Sequence, residues 1–154
     1  VRPAAEAKGV DLRLEAPSVP ATIRADGQRL DQLLDNLVSN AVKFTPDGGT
    51  VAVGLDRDGD DLVLTVSDTG IGIPAGEQRH LFERFFRASS AQKRAIDGTG
   101  LGLTIALAIA EAHGGSIRFA SVEGEGTTFR IALPVDGPPA ESAPEPGARE
   151  PSLV

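Results

Sequence analysis

Asn36, Asn40 and Lys43 recur at spacings of four and three residues, so in a helix they fall within about 60° of one another on a single edge. A carboxamide can ligand a hard cation through its oxygen or donate to phosphate through its nitrogen, and the lysine adds positive charge, so this edge suits a metal-bound polyphosphate. Taken alone, such an edge is more often a solvated polar stripe. Asp68-Thr69-Gly70-Ile71-Gly72 ends a strand-like run with a carboxylate followed by glycines, where a ring amino group could be met by the acid and the backbone approached closely; a strand-ending turn has the same composition. Asp97-Gly98-Thr99-Gly100-Leu101-Gly102-Leu103 runs into a helix, and free N–H groups at a positive helix end make an anion seat. It is neither a Walker A loop, lacking Gly-Lys-Ser/Thr, nor a dinucleotide fingerprint, and a plain hinge would read the same. In Leu81–Arg87 three of the six phenylalanines stand beside Arg84 and Arg87, a core cluster whose arginines could reach an anion. Gly124-Glu125-Gly126-Thr127 places a hydroxyl just after a turn.

These residues need elements to position them. Asp26 to Pro46 reads as one amphipathic helix, with Asp26 as N-cap and Pro46, Gly48 and Gly49 as the stop. Leu30, Leu33, Leu34, Leu37, Ala41 and Phe44 form a core-facing stripe beside the polar edge. Val10 to Ala16 alternates as a half-buried strand, a second short strand is expected over Ala21–Ala25, and Thr50–Asp56 and Asp61–Ser67 pair through Asp58-Gly59. A short helix is expected over Ala75–Phe82. Ala88–Gly100 has no periodicity and offers little to bury, as a mobile loop would. Leu101–His113 is apolar over most of its surface and predicts a largely buried helix ended by Gly114-Gly115, with His113 capping it and His80 at the surface. Ser116–Ser121 and Thr127–Pro134 close the fold as a strand pair.

The expected fold is therefore α/β: a two-layer sandwich of a mixed, mostly antiparallel sheet packed on three helices. Residues 1–9 are predicted to be a linker remnant and 10–135 the domain. From residue 136 the chain is acidic and proline-rich, holding five of the eleven prolines, and is expected to be a disordered tail.

At 154 residues the chain can bury a core without staples, and the absence of cysteine excludes disulfide and thiolate chemistry. Two histidines argue against zinc, and a net charge of -7 argues against nucleic acid, so an anionic ligand must be held by local donors. The longest apolar run, Leu101–Ala112, is too short to span a bilayer, and no membrane contact is expected from these residues. A start at Val1 rather than Met suggests a piece of something longer.

The asparagine helix, the Asp-x-Gly-x-Gly loop, the Phe/Arg block, Gly98-Thr99-Gly100-Leu101-Gly102-Leu103 and the Gly-x-Gly-Thr turn, in this order, resemble the N, G1, F, G2 and G3 boxes of sensor histidine kinases. The resemblance covers about Val10 to Pro134. It implies the Bergerat (GHKL) fold shared with gyrase, heat-shock 90 chaperones and MutL, which holds Mg-ATP under a mobile lid. It implies that Asp68 accepts from the adenine amino group with Thr127 assisting, that Asn40 ligands magnesium, that Asn36 and Lys43 contact phosphate, and that Phe44 lines the nucleotide where the family often has tyrosine. Gly70 and Gly72 belong to the adenine-side loop. Gly98, Thr99, Gly100, Leu101, Gly102 and Leu103 form the phosphate-side hinge. Arg87, and less directly Arg84, stabilise charge on the transferred phosphoryl, and Lys93 and Arg94 could add charge from the lid.

One position departs from the ATPase branches of that fold, which carry a water-activating glutamate where this chain has Asn36. A carboxamide is no general base at neutral pH, so poor hydrolysis is expected. Neither His80 nor His113 matches the family's phosphoacceptor, which lies on a dimerisation hairpin. The resemblance thus implies a separate hairpin, a response regulator, a homodimeric full-length protein and a cytoplasmic position in a membrane-bound sensor. Two other readings are an anti-sigma-type serine kinase, disfavoured by Asn36 and the Phe/Arg block, and a degenerate nucleotide-binding or protein-interaction module.

Overall fold

The computed structural model describes residues 1–15, 22–93, 96 and 98–137. A five-stranded sheet of order β1-β2-β3-β5-β4 is built from β1 (Asp11–Glu15), β2 (Thr50–Asp58), β3 (Asp61–Asp68), β4 (Ser116–Val122) and β5 (Gly126–Pro134). β1 runs parallel to β2 and the remaining pairs are antiparallel, the mixed sheet expected. The helices are α1 (Arg2–Ala7), α2 (Gly27–Phe44), α3 (Ser89–Lys93) and α4 (Gly102–Ala112), with a 3₁₀ turn at Ala75–His80. α2 and α4 pack against each other and against the sheet.

Register decides which side chains meet the helices. Val53 pairs Val66 and Leu55 pairs Leu64 across β2 and β3, Val66 pairs Phe129 across β3 and β5, and Phe119 pairs Phe129 across β4 and β5. With period 2 these positions share one face, and they join Leu33, Leu37, Ala41, Ala106, Ile109 and Ala110 of the helices in one apolar core. α2 begins as read: the Asp26 carboxylate accepts from the Arg29 N–H at 3.2 Å.

The structure corrects several expectations. Residues 1–9 are not a plain linker, because Arg2–Ala7 is helical, starts with Pro3 in its first turn, and buries Ala5 to 2% exposure. No strand forms over residues 22–25, where the described backbone makes one bond to the end of the sheet, Arg24 N–H to the Val135 carbonyl at 2.9 Å; Ala21 lies outside the described residues. Leu14, read as inward, is 78% exposed at the sheet edge. The Ala75–Phe82 helix is a 3₁₀ turn ending at His80. α4 is less buried than its composition predicts, for its apolar residues go all round while only Ala106, Ile109 and Ala110 are fully buried, with Leu103 and Ile105 packed part-buried against the core. His113 does more than cap α4: buried, it pairs Nδ1 with the Ile109 carbonyl at 2.8 Å and accepts the Asp26 N–H on Nε2 at 3.1 Å, tying the C-terminal end of α4 to the start of α2. His80 is at the surface, as expected, with Nδ1 2.7 Å from Glu83. The tail expected from residue 136 lies outside the described residues beyond Gly137, which is itself buried beside Arg24.

Candidate functional site

The apolar face of the sheet ends in polar residues. Asp68 on β3 pairs with Thr127 on β5, and Thr127 pairs with Ser121 on β4, so three polar side chains stand side by side where the apolar stripe stops. Asp68 Oδ1 accepts from the Gly70 N–H at 2.8 Å and the Thr127 N–H at 3.3 Å, while Oδ2 has no partner among the described residues. Burial pushes the Asp68 carboxyl above the usual aspartate range, and the two backbone donors only partly offset that. The Thr127 hydroxyl lies 2.9 Å from Ser121 Oγ, which also donates to the Gly126 carbonyl and accepts from the Ile73 N–H. Gly126 allows this crossing: at φ 130° its Cα approaches β3 so closely that a Cβ would sit 2.0 Å from the Asp68 carbonyl oxygen.

A cavity of about 490 Å³ opens from Asp68 and Thr127 toward the other polar residues, a volume suited to a small-molecule ligand. Ile71, Ile73, Leu103, Ile105 and Phe129 line its walls. Asn36, Asn40, Lys43 and Phe44 enter from α2, so the predicted polar edge does face the cavity and not solvent. Asn36 Nδ2 is buried without a hydrogen-bond partner among the described residues. A buried unpaired amide costs about 1–3 kcal/mol, which a ligand acceptor would recover. Gly102 sits directly over this pair, a Cβ there falling 3.5 Å from both Asn36 Oδ1 and Asn40 Nδ2. It starts α4, whose N-terminus has no side-chain cap, leaving backbone donors at the cavity.

Gly98, Thr99, Gly100, Leu101 and Leu103 also line the cavity, as do Gly72 and Arg87. Lys43 Nζ reaches the glycine loop, close enough that a Cβ on Gly98 would lie 2.7 Å from it. Arg87 Nη2 donates to the Ile96 carbonyl at 2.6 Å. Two predicted site residues are not brought to the cavity. Gly70 is buried behind Asp68, contributing its N–H to the carboxylate. Arg84 is exposed and absent from the lining, because Phe85 takes φ 63° and turns the chain there, its N–H bonded to the Gly100 carbonyl at 3.1 Å. The glycine loop in turn fits against that reversal: at φ 71°, a Cβ on Gly100 would meet Phe85 backbone at 2.7 Å.

The segment expected to bury little is partly built in. α3 buries Ala91 against the cavity, the Ser89 N–H is held by the Glu77 carboxylate at 2.8 Å, and Ser90 Oγ lies 3.4 Å from the Gly72 carbonyl. Small side chains can be buried without showing an apolar period, which is why the sequence did not betray them. Nothing is described of the Lys93 side chain, and Arg94 and Asp97 lie outside the described residues. Sequence reasoning missed the apolar wall of Ile71, Ile73, Ile105 and Phe129, and Ser121 behind Thr127, whose signal was a serine at the inward parity of Ile117 and Phe119.

Fold and site together define a nucleotide-sized pocket in an α/β sandwich, with an acceptor at one end and amide, ammonium and helix-end donors at the other. The chain belongs to the histidine kinase-, DNA gyrase B- and HSP90-like ATPase family, whose profile matches residues 25–137. It is 43% identical over 114 residues to sensor histidine kinase WalK of Bacillus subtilis, covering 73% of this chain and 19% of WalK. It is 41% identical over 152 residues to the sensor-like histidine kinase SenX3 of Mycobacterium tuberculosis, covering 97% of this chain and 37% of SenX3. Among solved structures it resembles the mycobacterial sensor histidine kinase MprB, with a TM-score of 0.76, 32% identity and coverage of 90% and 91% of the two chains. It also resembles full-length ShkA in complex with AMPPNP, with a TM-score of 0.75, 34% identity and coverage of 90% and 28%. The chain thus spans well under half the length of the curated relatives WalK and SenX3.

Proposed function

We propose that this chain is the catalytic domain of a two-component sensor histidine kinase, which binds Mg-ATP in the cavity and donates the γ-phosphoryl to a histidine on a separate dimerisation hairpin. The observation that carries this reading is the Asn36 amide, unpaired among the described residues, under the uncapped start of α4, opposite the half-buried Asp68 carboxylate, whose Oδ2 has no partner among those residues. Those groups complement a ligand with an amino group at one end and anionic oxygens at the other.

In this reading Asp68 Oδ2 accepts from the adenine amino group, with Thr127 beside it, and Phe44 and the isoleucines pack on the ring. Gly72 lets the adenine-side loop pass close to the base. Asn36, Lys43 and the N–H groups from Gly98 to Leu103 hold phosphate oxygens. Asn40 holds the magnesium, which neutralises phosphate charge. Phosphate oxygens and water would complete the shell of that ion. Arg87 stabilises charge on the transferred group after leaving the Ile96 carbonyl. Asn36 cannot deprotonate water, which spares the phosphoryl for transfer. The rest of the protein supplies the hairpin, forms a homodimer and passes the phosphoryl to a response regulator. In that protein this domain is cytoplasmic; among the described residues no helix is long and apolar enough to cross a membrane.

The test is phosphotransfer in trans. The chain is mixed with a histidine-bearing hairpin and γ-labelled ATP. The expected product is an acid-labile, base-stable phosphate on the hairpin and none on the chain incubated alone. An acid-stable phosphate would mean a serine kinase, and no transfer with ATP bound would mean a nucleotide-sensing module.

A further inference from the structure

The phosphate end of the cavity depends on the last turn of α2, which carries Lys43 and Phe44. That turn lacks the usual ending. Thr45 leaves the helix extended, at φ -84° and ψ 128°, with no left-handed glycine to fold back on the final carbonyls. Each of those carbonyls nevertheless has a partner. Ala41 O takes both the N–H and the hydroxyl of Thr45, at 3.1 and 2.7 Å, and Phe44 O takes the Ile71 N–H at 3.1 Å. The other three converge on one ammonium. Lys8 Nζ donates to Val42 O at 2.9 Å, to Lys43 O at 3.0 Å and to Thr45 O. Three donors meet three acceptors, which saturates the ammonium.

The lysine is itself held in place. It follows α1, and its own carbonyl accepts the Gly48 N–H at 3.2 Å from the turn that follows α2. A cation at the negative end of a helix is favourable, and here the contact is half-buried and hydrogen-bonded. Lys43 then extends from that anchored turn to the glycine loop at Gly98.

We propose that Lys8 is a positioning residue for phosphate recognition: by capping α2 from outside it fixes the turn that aims Lys43 at the glycine loop. This rests on the nucleotide reading above and adds to it a residue that does not itself line the cavity. The adenine end is built mainly on β3, β4 and β5, with Phe44 its one residue from the turn that Lys8 caps, whereas Lys43 reaches the glycine loop from that turn alone, so loss of Lys8 falls harder on the phosphate end.

The experiment is an NMR titration of the wild type, Lys8→Met and Lys8→Arg with Mg-AMPPNP and separately with adenosine, with a melting curve for each protein. Methionine covers the carbonyls without satisfying them, whereas arginine restores charged donors. Lys8→Met is expected to weaken Mg-AMPPNP binding about tenfold and adenosine binding by less than about twofold, with Lys8→Arg recovering most of the loss. Should the Met variant not fold, Lys8→Gln, a neutral donor, is measured against the same two ligands with the same expectation. Equal weakening of both ligands, or an unchanged affinity for Mg-AMPPNP, would overturn the proposal while leaving the nucleotide reading intact. Failure of the wild type to bind either ligand would overturn both.

Discussion

Replacing Asp68 by asparagine separates what this carboxylate does for the ligand from what it costs the fold. The carboxamide oxygen can keep the bonds from the Gly70 and Thr127 N–H groups, so the backbone role of the side chain survives. What changes is the other atom: an NH₂ donor replaces the unpartnered Oδ2 and faces a ligand amino group. Losing a charge-assisted bond of about 1.5–3 kcal/mol corresponds to roughly 10- to 150-fold in affinity, before the donor-to-donor clash is added. Calorimetry with a non-hydrolysable ATP analogue reads this directly. Stability should move the other way. Burial raises the pKa of Asp68 in the folded state, so the protonated form is the one the fold favours. That contribution is fully present below the unfolded pKa and is lost as pH rises through the folded one, above which the desolvated group is ionised. Asparagine removes that burden, so Asp68→Asn is expected to raise the denaturation midpoint at pH 7, with the advantage shrinking as pH falls through the raised folded pKa and gone below the unfolded one. The same titration makes wild-type nucleotide binding weaken on acidification at a higher pH than an ordinary aspartate would cause. A variant that binds within twofold of the wild type, or one less stable at pH 7, would refute this reasoning.

Asn36→Glu puts a carboxylate where the structure has a buried unpaired amide, and basal ATP hydrolysis, followed as phosphate release, is expected to increase; equal turnover in both proteins would remove the argument that Asn36 spares the phosphoryl. Gly126→Ala places a methyl group against the Asp68 carbonyl at a φ that alanine avoids, so a loss of at least about 3 kcal/mol in denaturant stability is expected, together with weakened nucleotide binding; a variant within about 1 kcal/mol of the wild type, the usual scale of such changes, would mean the strands can part there at little cost.

Much of the site was legible because it lies on elements with strong periodicity. The α2 pattern placed Asn36, Asn40 and Lys43 on one edge, and that edge does face the cavity. The association of Asp68 with Thr127 came only from the family resemblance, since the register that sets them opposite each other across β3 and β5 is a tertiary pairing. What could not be read depended on tertiary partners. Leu14 alternates like an inward residue, yet β1 is an edge strand and that position has nothing above it. Arg84 and Arg87 are three residues apart in a segment that is not regular helix, and a positive φ at Phe85 sends only Arg87 to the cavity. Residues 1–9 lack an apolar period because α1 buries little more than Ala5, while the consequential contact is made by a lysine, which sequence reasoning assigns to solvent.

The central claim is that this cavity takes ATP with its metal. The most direct test is a titration of the intact chain with AMPPNP, with magnesium and with EDTA, monitored at the side-chain amide resonances of Asn36 and Asn40 and compared with Asn40→Ala. The expected result is binding that shifts both amides, is markedly tighter with magnesium, and loses its magnesium dependence in Asn40→Ala. Binding that leaves both amides unmoved, or a folded chain that takes no nucleotide, would contradict it.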